Sequence, residues 1–201
     1  MSQVHSNIHV LQLEVTNFES YPDIVQQVGD VVKDEGLNVL FNNAGFAPKS
    51  TRLPFVKSDE LLTTIQVNTI APIMMTKAFV PLLKKASQVN AEKAIGVERA
   101  GIINMSSLLG SIASNREGGM YAYRVSKSGL NAATKSISID LRDQKIFCVS
   151  LHPGWVRTDM GGSHAPMDVE SSCAGILDTI HGLNDSHNGG FVQWDGTNMP
   201  W

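Results

Sequence analysis

Tyr123-Arg124-Val125-Ser126-Lys127 is the sharpest chemical constellation in the chain. On a helix, residues four apart share a face, so the Tyr123 phenol and the Lys127 ammonium point the same way. A free tyrosine titrates near pH 10 and is a poor acid or base at neutral pH. A cation within about 4–6 Å favours the phenolate and lowers that pKa. That is the tuning that general acid–base catalysis requires. A surface lysine beside a core tyrosine gives the same letters, so the pair needs company. Ser107 supplies it from sixteen positions upstream, at the end of an apolar run. Its hydroxyl can hold a carbonyl while Tyr123 delivers a proton; strand-end capping is the other ordinary use of such a serine. Asn68 is the fourth candidate. Pro72 stands four residues on and has no N–H, so the residue 68 carbonyl loses its helical partner. That carbonyl then needs a water or a side chain. A water there would lead protons toward Lys127; a plain helix kink is the alternative.

These side chains need elements to hold them. Ile8 to Val15 alternates apolar and polar residues and reads as a strand. Short apolar runs follow at Leu37–Phe41, Ala100–Met105, Ile146–Leu151 and, more weakly, Gly190–Trp194. Between them lie helical patterns at Phe18–Glu35, Ser58 to about Ala86, Met120–Asp143 and about Asp168 to Leu183. Strands alternating with helices predict an α/β fold with a parallel sheet covered on both faces. Ligands bind such sheets beyond the carboxyl ends of the strands. Asn42–Gly45, Ser106-Ser107 and His152–Thr158 fall at those ends.

Composition excludes several classes. The 201 residues suit a single domain. Sixteen Lys and Arg against 19 Asp and Glu leave a net charge of -3, so no nucleic-acid groove is indicated. No run nears the roughly 18 apolar residues of a membrane span. Cys148 and Cys173 are too few for a disulfide scaffold, and no basic, apolar leader opens the chain. The expectation is a reduced, cytoplasmic domain. The six histidines and two cysteines show no metal-ligand spacing, and no G-x-S-x-G elbow occurs.

Asn42-Asn43-Ala44-Gly45, Asn68, Asn104-Met105-Ser106-Ser107, Tyr123-x-x-x-Lys127 and His152-Pro153-Gly154-Trp155-Val156-x-Thr158 come in a telling order. In that order and spacing the chain resembles the short-chain dehydrogenase/reductases. Finer stretches, Gly119–Arg124, Ser126–Asn131 and Asp195–Trp201, are similar to the sniffer-like (C-factor-like) carbonyl reductases. The resemblance implies a Rossmann-like doubly wound parallel sheet and hydride transfer between NADP(H) and a small carbonyl or alcohol. It implies that Tyr123 protonates the carbonyl oxygen and Ser107 orients that carbonyl. Lys127 would lower the Tyr123 pKa and bind the nicotinamide ribose, and Asn68 would complete a tetrad through its carbonyl and a water. Asn43, Ala44 and Gly45 would line the adenosine side, with Glu14 and Val15 near the adenine. Pro153, Gly154, Val156 and Thr158 would flank the nicotinamide. The segment from Met160 to Pro166 would either close over substrate or be an ordinary surface loop, and the helices from Ser58 and Tyr121 are where a possible homodimer would pack.

One part of the resembled pattern is missing. The family opens with a strand and a G-x-x-x-G-x-G turn, whereas the first glycines here are Gly29 and Gly36. The chain reads as starting at the family's third strand, short of roughly 45 residues, more than one minimal βαβ unit of about 30. The lost turn would cradle the pyrophosphate at a helix N-terminus. The lost second strand would distinguish NADP from NAD, so NAD stays possible. Leu37–Phe41 is then expected to present an open apolar edge. The alternative function is a non-catalytic, truncated member or fragment that cannot bind cofactor and acts at most as a dimer partner.

Overall fold

A computed structural model describes residues 5, 7–49 and 52–201. Its sheet has four strands, β1 (Val39–Asn42), β2 (Gly101–Met105), β3 (Phe147–His152) and β4 (Phe191–Gln193). They pair in parallel in the order β1-β2-β3-β4. The helices are α1 (Tyr21–Val32), α2 (Ser58–Ile65), α3 (Ala71–Val89), α4 (Tyr121–Asp140) and α5 (Val169–Gly182). The four later apolar runs are therefore the strands, each within two residues of the expected ends, and the fold is the expected Rossmann-like α/β arrangement.

The first expected strand is not one. Residues 8–15 form no ladder. Their alternation still has a physical use, because Leu11 and Leu13 pack against the core. The Tyr21 hydroxyl also ties the Val15 carbonyl to the start of α1. A period of two places side chains on one face whether or not a neighbouring strand exists; the ladder needs backbone partners. Among the described residues β1 pairs only with β2, so its outer edge is open as expected. An apolar cavity of about 290 Å³ lies along it, lined in part by Leu13, Val15, Leu40, Phe41 and Met75.

Alternation along the strands builds two cores. Ile102, Ile146 and Cys148 meet Met75, Phe79 and Leu83 of α3 on one face. Ile103, Val149, Leu151 and Val192 meet Ile176 and Ile180 of α5 on the other. A polar row crosses the sheet just below the strand ends. Asn42, Asn104 and Ser150 stand in register. The Asn42 Nδ2 donates to the Asn104 Oδ1 at 2.8 Å, and the Asn104 Nδ2 donates to the Thr134 Oγ1 of α4 at 2.9 Å. The Ser150 Oγ reaches the same Thr134 Oγ1 at 2.9 Å. A one-residue slip would bury these groups without partners, so the row holds the register on which the site depends.

The long helical pattern from Ser58 is three pieces. Between α2 and α3, residues Gln66–Ile70 form a π-helical turn. The Ala71 N–H bonds to the Gln66 carbonyl, one residue wider than an α-helix. Pro72 lies just beyond, and the widened turn accommodates its missing N–H. Asn68 is buried at the centre of that turn. α4 starts abruptly: Gly118, Gly119 and Met120 all have positive φ, which turns the chain so that Tyr123 enters the first helical turn. α5 is capped by the Asp168 carboxylate, which accepts from the Ser171 N–H at 2.7 Å. No described helix is long and apolar enough to cross a membrane.

Candidate active site

The carboxyl ends of β1, β2 and β3 and the first two turns of α4 converge on one place. Lys127, 3% exposed, sits over the Tyr123 ring with its Nζ 5.7 Å from the centroid. Ser107 follows β2 and is close enough to the phenol to act on its proton affinity. Its Oγ also accepts from the Leu109 N–H at 3.2 Å, capping the short helical turn Leu108–Gly110. The capping use of Ser107 is therefore observed, and accepting from Leu109 leaves its hydroxyl proton free. Asn68 reaches in from the π-turn. A Cβ placed on Gly45 would stand 3.6 Å from the Asn68 Oδ1 and 3.7 Å from the Lys127 Nζ. The loop after β1, the π-turn and α4 thus meet at one bare glycine.

Asn68 acts through its carboxamide, which the sequence reading overlooked. Its Oδ1 accepts from the Phe46 N–H and its Nδ2 donates to the Phe46 carbonyl, both at 2.8 Å. The Nδ2 also donates to the Ser126 Oγ at 3.0 Å. This clamps the Asn43–Gly45 loop onto α4. The signal was available: a buried asparagine beside a helix-breaking proline must find several partners.

The electrostatics correct one expectation. Lys127 was expected to make the Tyr123 phenol acidic. Instead burial pushes the phenol pKa above its ordinary 10, with Ser107 pulling it partly back. The Lys127 ammonium is held elsewhere: its Nζ donates to the Met105 carbonyl at 2.7 Å. Burial brings its own pKa down to about 8. At neutral pH the phenol therefore keeps its proton and the amine is mostly charged. Loss of solvent around the phenol is the larger effect, and it favours the neutral form.

A stability signature follows. The unfolded chain takes up the Lys127 proton near the ordinary 10.5, the folded chain only near 8. As pH falls through that window, stability is lost, by about 3 kcal/mol in all. Lys127→Met should remove this slope. Urea unfolding of both proteins from pH 8 to 10.5 measures the difference, in which groups common to both cancel; parallel curves would refute it.

The other expected contacts divide. Val15, Asn43 and Ala44 line the apolar cavity beside β1. Glu14 does not join them; its carboxylate caps its own turn through the Thr16 N–H and hydroxyl. The Pro153 carbonyl accepts from the Ser172 Oγ of α5 at 2.7 Å, fixing the end of β3. Gly154 has φ +86, and a Cβ there would meet Met167 and Trp194 at 3.1 Å, so only glycine suits this turn. Val156 bridges Met167, and the Thr158 Oγ1 accepts from the Gly161 N–H. Arg157 binds the Ala165 and Pro166 carbonyls, closing residues 155–167 into a loop beside the site. His152 ends β3. Its Nδ1 is buried without a partner, and burial lowers its pKa to about 4, so it is neutral. Among the described residues no group of three or more His, Cys, Asp or Glu side chains is placed to hold a metal.

Comparison with known proteins agrees with this geometry. A family model described as Enoyl-(Acyl carrier protein) reductase matches residues 1–174. The chain is 39% identical over 165 residues to C-signal of Myxococcus xanthus, covering 82% of this chain and 93% of that protein. It is similar to the solved carbonyl reductase Sniffer of D. melanogaster, with 60% identity and a TM-score of 0.99, covering 100% of this chain and 81% of that one. The NADPH-bound carbonyl reductase from chicken fatty liver shares 37% identity at a TM-score of 0.93, over 100% of this chain and 80% of that one. A match over most of the chain, reinforced by a serine, tyrosine, lysine and asparagine meeting at the strand ends, makes this protein a member of the short-chain dehydrogenase/reductase family of oxidoreductases.

Proposed function

We propose that the chain is a carbonyl reductase using NADP(H), with Tyr123 as the general acid. The observation that carries this reading is the meeting of Ser107, Tyr123, Lys127 and Asn68 at the carboxyl ends of the strands. A nicotinamide cofactor would supply the hydride for the carbonyl carbon. The residues of this chain fit its nicotinamide–ribose half. Gly45 brings the loop after β1 against Asn68 and the Lys127 Nζ, the Pro153-Gly154 turn is locked, and a cavity bearing Val15, Asn43 and Ala44 lies alongside. Lys127 would hold the ribose hydroxyls, and Pro153, Gly154, Val156 and Thr158 would flank the nicotinamide. The 201 residues given contain no G-x-x-x-G-x-G turn, the element that would cradle the pyrophosphate.

The chain's own residues do the following. The Ser107 hydroxyl donates to the substrate carbonyl oxygen and holds it toward the phenol. Tyr123 gives that oxygen its proton as negative charge develops. Burial keeps this proton in place at neutral pH, so the acid is in its competent form before substrate arrives. The Lys127 ammonium stabilises the phenolate that remains. Asn68 holds the Gly45 loop in place by clamping Phe46. A water on the Asn68 carbonyl would return the proton by way of Lys127.

The second reading is that these 201 residues by themselves bind no cofactor. Titration with NADPH, followed by tryptophan fluorescence, separates the two. Saturable binding together with NADPH-dependent reduction of a small carbonyl supports the reductase. Absence of binding up to roughly millimolar cofactor, far weaker than the micromolar range common for enzymes, would leave the second reading.

A further inference from the structure

The geometry points to Asn131 as the residue that sets the position of Ser107 against Tyr123. This rests on the reading of Ser107 and Tyr123 given above.

Asn131 lies on α4, two helical turns beyond Tyr123 and one beyond Lys127, and is 3% exposed. Its carboxamide grips the chain on both sides of Ser107. The Oδ1 accepts from the Ser106 Oγ at 2.6 Å, just before Ser107. The Nδ2 donates to the Gly110 carbonyl at 3.3 Å, just after it. Ser128 of the same helix adds a second hydrogen bond to that carbonyl, at 2.8 Å. Gly110 itself lies flat on α4: a Cβ there would stand 2.9 Å from the Lys127 Cβ and 3.0 Å from the Lys127 carbonyl carbon. The turn between is short and closed, since the Gly110 N–H bonds to the Ser107 carbonyl at 2.8 Å. Ser107 is thus carried by a tight turn whose two ends are fastened to the helix that carries Tyr123. The carboxamide does this with two separate atoms, the oxygen accepting from Ser106 and the nitrogen donating to Gly110. The strand pairing holds the near end of this turn as well, the Ser106 N–H donating to the Leu151 carbonyl of β3 at 2.7 Å, while the grip of Asn131 fixes it against α4.

Asn131 touches neither substrate nor the reacting atoms, so it is a positioning residue. The chain has three tyrosines, Tyr21, Tyr121 and Tyr123. In protein labelled with ζ-13C-tyrosine, the resonance lost in Tyr123→Phe identifies Tyr123, and its shift reports hydrogen bonding at the phenol. Asn131→Ala is expected to move this resonance in the same direction as Ser107→Ala, and the double variant is expected to add nothing. Ser106→Ala, which removes one grip only, carries the same test should Asn131→Ala fail to fold. A Tyr123 resonance that stays at its wild-type position in these variants, or does not respond to Ser107→Ala, would overturn the inference even if thermal stability falls. In carbonyl reduction, kcat should drop about ten- to a hundredfold with KM nearly unchanged. If the wild-type chain has no turnover, the reductase reading fails, while the resonance test still decides the role of Asn131.

Discussion

Tyr123→Phe should lower NADPH-dependent carbonyl reduction by about 10²–10⁴-fold, the range expected for loss of a positioned general acid. The reasoning is local. The substitution removes one oxygen and keeps the ring beneath the Lys127 Nζ. Among the described residues the phenol has no structural hydrogen bond to lose besides its approach to Ser107. Stability should therefore hold, and cofactor affinity should change little. Steady-state rates, an NADPH titration and a thermal melt on the same preparation measure the three quantities. Retained turnover would remove Tyr123 from the chemistry. Lost turnover with lost binding would make the residue a cofactor contact instead of the acid. The raised phenol pKa adds a condition: activity in the reducing direction should show no alkaline fall from this group below about pH 10, the value of a free tyrosine.

Asn68→Leu should be the most damaging single substitution for the fold around the site. The side chain is fully buried and makes three hydrogen bonds, two of them to the backbone of Phe46. Leucine fills similar space and satisfies none of them. Each stranded buried group costs about 1–3 kcal/mol; with partial relief from solvent at the exposed loop, a total of about 3 kcal/mol is expected. For a domain of this size that lowers the melting temperature by roughly 6–12 °C. Asn68→Ser keeps a hydroxyl donor and acceptor without introducing a charge and should lose less stability than leucine. Melting curves of the two variants check the order; equal losses would mean that burial, and not the carboxamide, is what counts there. In both, the Gly45 loop comes loose from α4, so NADPH binding should weaken more than the loss of stability alone predicts.

The site was legible wherever chemistry depends on residue type and local spacing. Tyr123 and Lys127 share a face because a helix repeats every 3.6 residues, and that holds in any fold. Ser107, Gly45 and Pro153 fall at strand ends because apolar runs stop there. Asn131 was not legible. It lies within one of the stretches resembling the family, yet nothing local marks it, because its partners Ser106 and Gly110 are 25 and 21 residues away. The polar row through Asn42, Asn104, Thr134 and Ser150 was hidden for the same reason.

The amino-acid order alone determined the alternation of strands and helices, the chain of motifs from Asn42 to Thr158, and hence the family. Both rest on periodicity and spacing, which are properties of neighbours along the chain. Tertiary structure decided that residues 8–15 are a packed strap, that Lys127 grips the Met105 carbonyl, and that burial holds the Tyr123 proton in place. Each of these turns on desolvation or on a partner far away in sequence. Such energies exist only once the folded chain has removed the groups from water and brought distant residues into contact.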